Sequence, residues 1–424
     1  MTPSSPPSFS FHRATPAGEG GVAIFELYGE GAGSVLSRLF RGAELPAEGR
    51  SRLGALVDLE GDDLDEVVVS RVPAVGTWSR MSAWTVSVHG GVWVQSRVGE
   101  VLTGVGGAER SRREVLLDAV NRGALDAIEA AAFEHLIGAR TERAAAFFSR
   151  QYHGELSGRI HEFIRDFIRP PNQPASRQRC GNECVDGTRR LDDLLRRAPA
   201  AYRLANPLRL LIAGRPNSGK STLFNALVER ERVVVSDKLG TTRDLIREVI
   251  ALKGFPVELI DSVGLHSAPS DPVEKEAVEK IWRQEVDAVL YLVAAPWNVH
   301  PEERGFFERF PAARVLKVAT FRDLGLTPEA LAFPVQISAT SGEGLTELRR
   351  AIVAGWLDPD GEADEPPDLP APFTLRQHRL LEAAHDSWQK ASSMPPGAES
   401  RLALDAVGEA LIICLRSSWP DEAA

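Results

Sequence analysis

The chain has 424 residues and a formal net charge of −10, so its length exceeds one compact domain and its charge argues against a general nucleic-acid coat. Three cysteines in this length argue against a disulfide framework and indicate a reducing compartment. Residues 1–7 do not resemble a secretory signal, and no run of about 18 apolar residues would cross a membrane, so we expect a cytoplasmic protein of two or three domains.

The N-terminal segment carries strand-like patterns that predict a small α+β domain. Residues 20–27 are largely apolar after a glycine-rich turn, and Trp84–Val88 alternates apolar and polar residues before His-Gly-Gly at 89–91. From about residue 109 the apolar residues recur at helical intervals instead. We therefore place the first domain at residues 1–108.

Helical patterns lie on both sides of the middle of the chain. Helices are predicted to about residue 167 and again over 189–204, with a loop at 169–187 that is rich in Pro, Asn, Gln and Gly. After an acidic, proline-rich linker at 358–372, helices resume at 375–416. We assign 109–205 and 358–424 to the two halves of one all-helical domain, with a nucleotide-binding domain at 206–357 inserted between them.

The most informative motif is G-x-x-x-x-G-K-S at residues 214–221, between an apolar strand and a helix. Strands and helices alternate over 206–357, which predicts a doubly wound, mostly parallel sheet. Glycines allow the tight turn that aims N–H groups at a phosphate, and the helix N-terminus adds a positive field. Lys220 would reach the β- and γ-phosphates, and the Ser221 hydroxyl would ligate Mg²⁺. The residues expected to contact nucleotide here are Gly214, Asn217, Ser218, Gly219, Lys220, Ser221 and Thr222.

Two later segments have the pattern of GTPase switches. Residues 240–244 read G-T-T-R-D, where the Thr242 hydroxyl would complete the Mg²⁺ sphere and contribute to catalysis. An apolar strand then ends in D-x-x-G at 261–264, where Asp261 would hold Mg²⁺ through water and the Gly264 N–H would bind the γ-phosphate. The alternative roles are a polar turn at Thr242 and a helix cap at Asp261.

Residues 214–265 resemble the MnmE (TrmE) family of tRNA-modification GTPases. Shorter pieces extend the resemblance to residues 14–23, 89–91, 121–126 and 373–377. The resemblance implies a dimerising N-terminal domain, a split helical domain and an inserted G domain. It also implies a homodimer that modifies the tRNA wobble uridine at C5, together with a flavin-dependent partner and a one-carbon donor.

The resemblance implies two further catalytic features. Asn217 matches the phosphate-loop asparagine that helps to hold a K⁺ ion in this family, and the charge of that ion replaces an arginine finger. The D-x-V-E piece at 271–274 matches the family segment whose glutamate orients the attacking water, which makes Glu274 the candidate. An exposed helix position is the alternative role of Glu274.

The guanine-reading element departs from the usual N-K-x-D pattern. Thr320 and Phe321 replace the Asn and Lys, while Asp323 remains to pair with the guanine N1–H and N2 amine. Phe321 would stack on the purine, and a reduced affinity is expected. The later segment at 338–340 reads S-A-T and resembles the S-A-K loop of GTPases. By this resemblance Ser338 begins the loop, and the N–H of the next residue, Ala339, contacts guanine O6.

Other segments give weaker indications. The chain lacks the family's C-x-G-K-type tail, and Cys414 lies in an apolar helix that predicts a core position. It also lacks an R-P-G-E-F-type segment before Asn121, so support for a bound folate one-carbon donor is weak. Cys180 and Cys184 form C-x₃-C without further ligands and predict a plain loop. The arginine-rich stretch 177–197 would contact RNA phosphates or form a solvated helix face.

The sequence therefore predicts a GTPase in which water attacks the γ-phosphorus while Lys220, Mg²⁺ and K⁺ stabilise charge and Glu274 positions the water. Two alternatives stay open. One is a diverged regulatory or assembly GTPase that controls a protein partner or the ribosome. The other is a nucleotide-binding scaffold with little turnover.

Overall fold

The computed structural model describes residues 9–42, 44–168, 181–231, 247–261, 286–294, 307–308, 310, 312–325, 328–359, 361, 369–395 and 397–416. The chain forms two compact units, one from residues 1–134 with 415–424 and one from residues 135–414. Among the described residues, no helix is long and apolar enough to cross a membrane.

The first unit contains a seven-stranded sheet in the order β3-β4-β5-β6-β2-β1-β7. Neighbouring strands are antiparallel except β1 and β7, which are parallel. The strands predicted over 20–27 and 84–88 are confirmed as β2 and β6. The strands are β1 Phe9–Arg13, β2 Val22–Tyr28, β3 Phe40–Arg41, β4 Ser51–Val57, β5 Asp63–Val72, β6 Ala83–His89 and β7 Gly107–Glu109.

Alternation along these strands places apolar side chains on the face that forms the core. Phe9 and Phe11 of β1 point into this core, and Phe25 and Leu27 of β2 join them. Helices α1 and α2 cover the same core. The helices that begin in this unit are α1 Gly31–Leu39, α2 Val92–Gly104, α3 Arg112–Asn121 and α4 Ala127–Ile137.

The second unit begins with helices and continues into a six-stranded sheet. The helices are α5 Glu142–Tyr152, α6 Glu155–Phe163, α7 Gly181–Arg196 and α8 Ala198–Ala205. The described strands run in the order β13-β12-β11-β8-β10-β9, and only the β9–β10 pair is antiparallel. They are β8 Leu208–Gly214, β9 Arg247–Leu252, β10 Phe255–Asp261, β11 Ala288–Val293, β12 Val315–Ala319 and β13 Val335–Gln336.

The central strands are buried on both faces, as expected for parallel strands covered by helices. Every residue of β11 is buried, and so is every residue of β8 except Arg209. The helices that follow β8 along the chain are α9 Lys220–Glu231, α10 Pro328–Leu331, α11 Leu345–Ile352, α12 Leu375–Ser393 and α13 Ala398–Arg416.

Helix α7 begins earlier than the sequence predicts, so the expected loop at 169–187 is wrong for residues 181–187. The reason is packing against α12. A side chain at Gly187 would overlap the Trp388 ring, and the Trp388 indole N–H donates to the Thr188 hydroxyl at 3.2 Å. Tertiary contact therefore overrides the low helix propensity of this glycine-containing stretch.

Candidate nucleotide-binding site

The carboxyl ends of the parallel strands bring together site residues that are far apart in sequence. Gly214 ends β8, Asp261 ends β10, Thr320 directly follows β12, and Ser338 is the second residue after β13. In open α/β sheets, ligands bind in the crevice outside these strand ends. The predicted phosphate, metal and base residues that the structure describes therefore share one edge of the sheet.

The phosphate loop at 214–219 adopts a conformation that its sequence makes possible. Gly214 and Gly219 have φ values of +147° and +92°, and Asn217 has a φ of +62°. A Cβ at Gly214 would lie 2.5 Å from the Leu292 carbonyl oxygen on β11 and 2.8 Å from the Ser218 hydroxyl. Only glycine therefore fits at the first position, where the loop leaves the sheet.

Lys220 and Ser218 place polar atoms inside this loop. Lys220 is only 6% exposed, and its ammonium donates to the Arg215 carbonyl at 2.8 Å. Burial lowers the pKa of Lys220, while the nearby Asp261 opposes that shift. The Ser218 hydroxyl is buried and has no hydrogen-bond partner among the described residues. Since unpaired buried polar groups are costly, this cradle fits an anion that would accept from both side chains.

Ser221 and Asp261 form an oxygen pair beside the loop. The Ser221 hydroxyl donates to a carboxylate oxygen of Asp261 at 3.4 Å, and Asp261 is 4% exposed. Within the described residues, no three His, Cys, Asp or Glu side chains cluster as a metal site. Mg²⁺ at nucleotide sites takes one or two protein oxygens and completes its shell with phosphate oxygens and water. The pair therefore fits that ion.

The first of the two predicted base-reading loops follows β12. Thr320 is buried, and its N–H donates to the Val293 carbonyl at 3.0 Å, which ties the ends of β11 and β12 together. Phe321 has a φ of +64°, an uncommon conformation for a bulky residue. This backbone turn leaves Asp323 exposed in a short 3-10 helix at 322–324.

The second base-reading loop, after β13, is attached to the first. The Arg322 N–H donates to the Ile337 carbonyl at 3.0 Å, and the Arg322 guanidinium lies 3.1 Å from a Glu343 carboxylate oxygen. Ser338 is buried, and its hydroxyl accepts from the Ser341 N–H at 3.2 Å. Ala339 is half-buried in the same loop. The sequence did not single out Arg322 and Glu343, because nothing in their spacing indicates a contact.

The remaining predicted residues fall into two groups. Thr242, Gly264 and Glu274 lie outside the described residues. Asn217 and Thr222 are described and exposed, the first in the loop and the second in the first turn of α9.

The structure also places the residues with weaker indications. Cys414 is buried at 1% exposure, as the core prediction requires. Cys184 is half-buried in α7, so the plain-loop prediction is wrong for it, and Cys180 lies outside the described residues. In its described part, residues 181–197, the arginine-rich stretch forms a solvated helix face. Its ion pairs include Arg189–Asp186 and Arg190–Asp186, both at 3.0 Å, Arg190–Asp166 at 3.3 Å and Arg196–Asp193 at 3.4 Å.

The first unit holds a buried polar cluster that the sequence did not indicate. Glu26 accepts hydrogen bonds from the Tyr28 hydroxyl and the Trp78 indole N–H. Burial raises the pKa of Tyr28 and lowers the pKa of the neighbouring His12. His12, Glu26 and Tyr28 alternate with core residues along β1 and β2, so each one alone has the pattern of a solvent-facing strand position.

Comparisons with known proteins show what this chain is similar to. A model of the 50S ribosome-binding GTPase family matches residues 209–316. The tRNA modification GTPase MnmE of Aquifex aeolicus is 30% identical over 363 residues, which cover 80% of this chain and 80% of that protein. The protein of the same name from Thermus thermophilus is 32% identical over 421 residues, covering 94% and 92%. Among solved structures, the G domain of the T. maritima FeoB iron transporter is 29% identical, with a TM-score of 0.28, and covers 35% of this chain and 99% of that one.

Proposed function

This chain belongs to the MnmE family of tRNA modification GTPases and is itself a GTPase, and we propose that it couples GTP hydrolysis to C5 modification of the tRNA wobble uridine. One observation carries the nucleotide part of this proposal. The phosphate loop buries a lysine ammonium and a serine hydroxyl that has no partner among the described residues, beside the Ser221–Asp261 oxygen pair. The tRNA part is supported by the names of the relatives.

In the proposed reaction, water attacks the γ-phosphorus and the bond to the β–γ bridging oxygen breaks, which releases GDP and phosphate. The Lys220 ammonium and the N–H groups of the 214–219 loop bind the phosphates and stabilise the charge that moves onto them. Ser221 and Asp261 would hold Mg²⁺, which supplies positive charge at the β- and γ-phosphates. Thr242 and Gly264 are proposed to contact the same ion and the γ-phosphate, and Glu274 to orient the water.

A K⁺ site at Asn217 remains part of the proposal. Its support is the family match together with the position of Asn217 at an exposed, left-handed turn of the phosphate loop. A monovalent cation there would offset the charge that grows on the leaving phosphate, as an arginine finger does in other GTPases.

Guanine selection is assigned to the two base-reading loops. Asp323 would accept from the guanine N1–H and N2 amine, Phe321 would stack on the ring, and the Ala339 N–H would contact O6. The contacts that join these loops through Arg322 support this assignment, because they hold both loops at the same edge of the sheet.

We also propose domains at 1–108, 109–205, 206–357 and 358–424, with the G domain inserted into one helical domain. Packing of α12 against α7 supports the insertion, since Trp388 donates to Thr188 across the two helices. The proposed setting is a cytoplasmic homodimer that acts on tRNA with a flavin-dependent partner. Support for a folate donor is weaker, because the R-P-G-E-F-type segment is missing.

Analysis of wobble uridines in tRNA from a strain that lacks the gene tests the tRNA part. We expect the C5 substituent to disappear, to return with the wild-type gene, and to stay absent with Lys220→Ala. Lys390→Ala is the matched control, because Lys390 is exposed on α12, and it should restore the modification. Unchanged tRNA in the deletion strain would contradict the proposal and favour a regulatory or ribosome-assembly GTPase.

A further inference from the structure

The turn between β9 and β10 is held by residues at the start of α5. The Thr141 hydroxyl donates to the Gly254 carbonyl at 2.6 Å, and the Arg143 guanidinium donates to the Lys253 carbonyl at 3.1 Å. The same guanidinium lies over the Phe255 ring, 4.5 Å from its centre. We call these five residues the hairpin clasp.

Both sides of the hairpin clasp are shaped for this contact. Thr141 is 7% exposed, and its hydroxyl also accepts from the Ala144 N–H at 3.2 Å, so one oxygen caps α5 and holds the turn. On the other side, Lys253 and Gly254 have φ values of +47° and +81°. Two successive positive φ values are the signature of a type I′ hairpin turn. A Cβ at Gly254 would lie 2.8 Å from the Arg143 Cβ.

The opposite end of the same hairpin reaches the nucleotide site. Strands β9 and β10 pair without a register shift. The first pair, Leu252 with Phe255, adjoins the turn, and the last pair, Arg247 with Ile260, is at the other end. Strand β10 then ends at Asp261, whose carboxylate is 3.4 Å from the Ser221 hydroxyl. The seven residues of β10 span roughly 20 Å. Because paired strands move together, a shift of the turn would shift Asp261.

We propose that Thr141 and Arg143 are positioning residues for the nucleotide site. By holding the turn, they keep Asp261 facing Ser221, so the helical segment before the G domain sets how strongly Mg²⁺ is held with nucleotide. This inference rests on the proposed role of Asp261 at Mg²⁺. By reciprocity, binding of Mg²⁺ and nucleotide stabilises the hairpin clasp.

The test measures the affinity of the full-length protein for fluorescent GDP at increasing Mg²⁺ concentrations. The quantity compared between variants is the Mg²⁺ concentration at which half of the Mg²⁺-dependent gain in GDP affinity is reached. We expect Arg143→Met and Thr141→Val to raise this concentration by about threefold to tenfold, the equivalent of one or two hydrogen bonds. GDP binding in EDTA should be unchanged, and Thr141→Ser should restore the wild-type value. Arg150→Met, on the same helix, is the matched control and should have no effect.

A different outcome identifies which idea fails. If Arg143→Met and Thr141→Val leave the Mg²⁺ requirement unchanged, or weaken GDP binding equally in EDTA, the positioning role is wrong. Asp261→Asn separates this from the proposed function. An unchanged Mg²⁺ requirement in Asp261→Asn would overturn the metal role of Asp261, on which the inference depends. If Thr141→Val does not fold because the cap is lost, Arg143→Met still decides, since it leaves the cap intact.

Discussion

Asp323 is the residue to which we assign base selection in the proposed site. Its position is set by its neighbours, because Phe321 takes a left-handed backbone conformation and the Arg322 N–H donates to the Ile337 carbonyl. The sequence indicated Asp323 by its spacing within a degraded motif. It could not indicate the conformation of Phe321, since bulky residues rarely adopt a positive φ.

We expect Asp323→Asn to change the preferred substrate from GTP to xanthosine triphosphate. A carboxylate accepts from the guanine N1–H and N2 amine, whereas an amide can accept from N1–H and donate to the xanthine O2. The ratio of kcat/KM for GTP over the xanthosine nucleotide should fall by at least about 100-fold, since a buried mismatch leaves polar groups unpaired. Asp323→Ala is the control and should lose activity with both nucleotides. A GTP preference retained in Asp323→Asn would contradict the assignment of Asp323.

At the scale of elements, hydrophobic patterns predicted the parallel strands well and the start of α7 poorly. Strands β8 and β10 lie where the sequence predicts apolar strands, before the phosphate loop and before the D-x-x-G segment, because each is a short, buried apolar run that ends at a turn or a polar residue. The start of α7 depends on Trp388, which lies about two hundred residues later in the chain. Local sequence carries no signal for such a contact, so the loop prediction was wrong there.

Gly187→Ala tests the packing of α7 against α12. Alanine favours a helix over glycine by roughly 1 kcal/mol, but at residue 187 its methyl group would overlap the Trp388 ring. We expect a net loss of about 1–3 kcal/mol in the free energy of unfolding, measured by urea denaturation. Gly158→Ala on α6 is the matched control, because nothing lies within 4 Å of its added Cβ. This control should be neutral or stabilising, and equal stabilisation by both substitutions would contradict the packing argument.

For the whole molecule, the elements around the phosphate loop were predicted more completely than the contacts between distant segments. The phosphate loop, Ser221 and Asp261 could be placed from sequence because a strand, a glycine-rich turn and a helix N-terminus are defined locally. The hairpin clasp could not, since it joins Thr141 to Gly254 across more than a hundred residues. Family membership then follows from similarity along 80% or more of the chain to relatives of one name.

Steady-state hydrolysis of GTP and ATP by the purified protein, each in K⁺ and in Na⁺ buffer, tests the central claim most directly. We predict GTP-selective turnover that K⁺ stimulates strongly, and loss of that stimulation in Asn217→Ala, because Asn217 is the proposed ligand of the ion. Slow turnover that is indifferent to both the base and the cation would contradict the account and favour a nucleotide-binding scaffold.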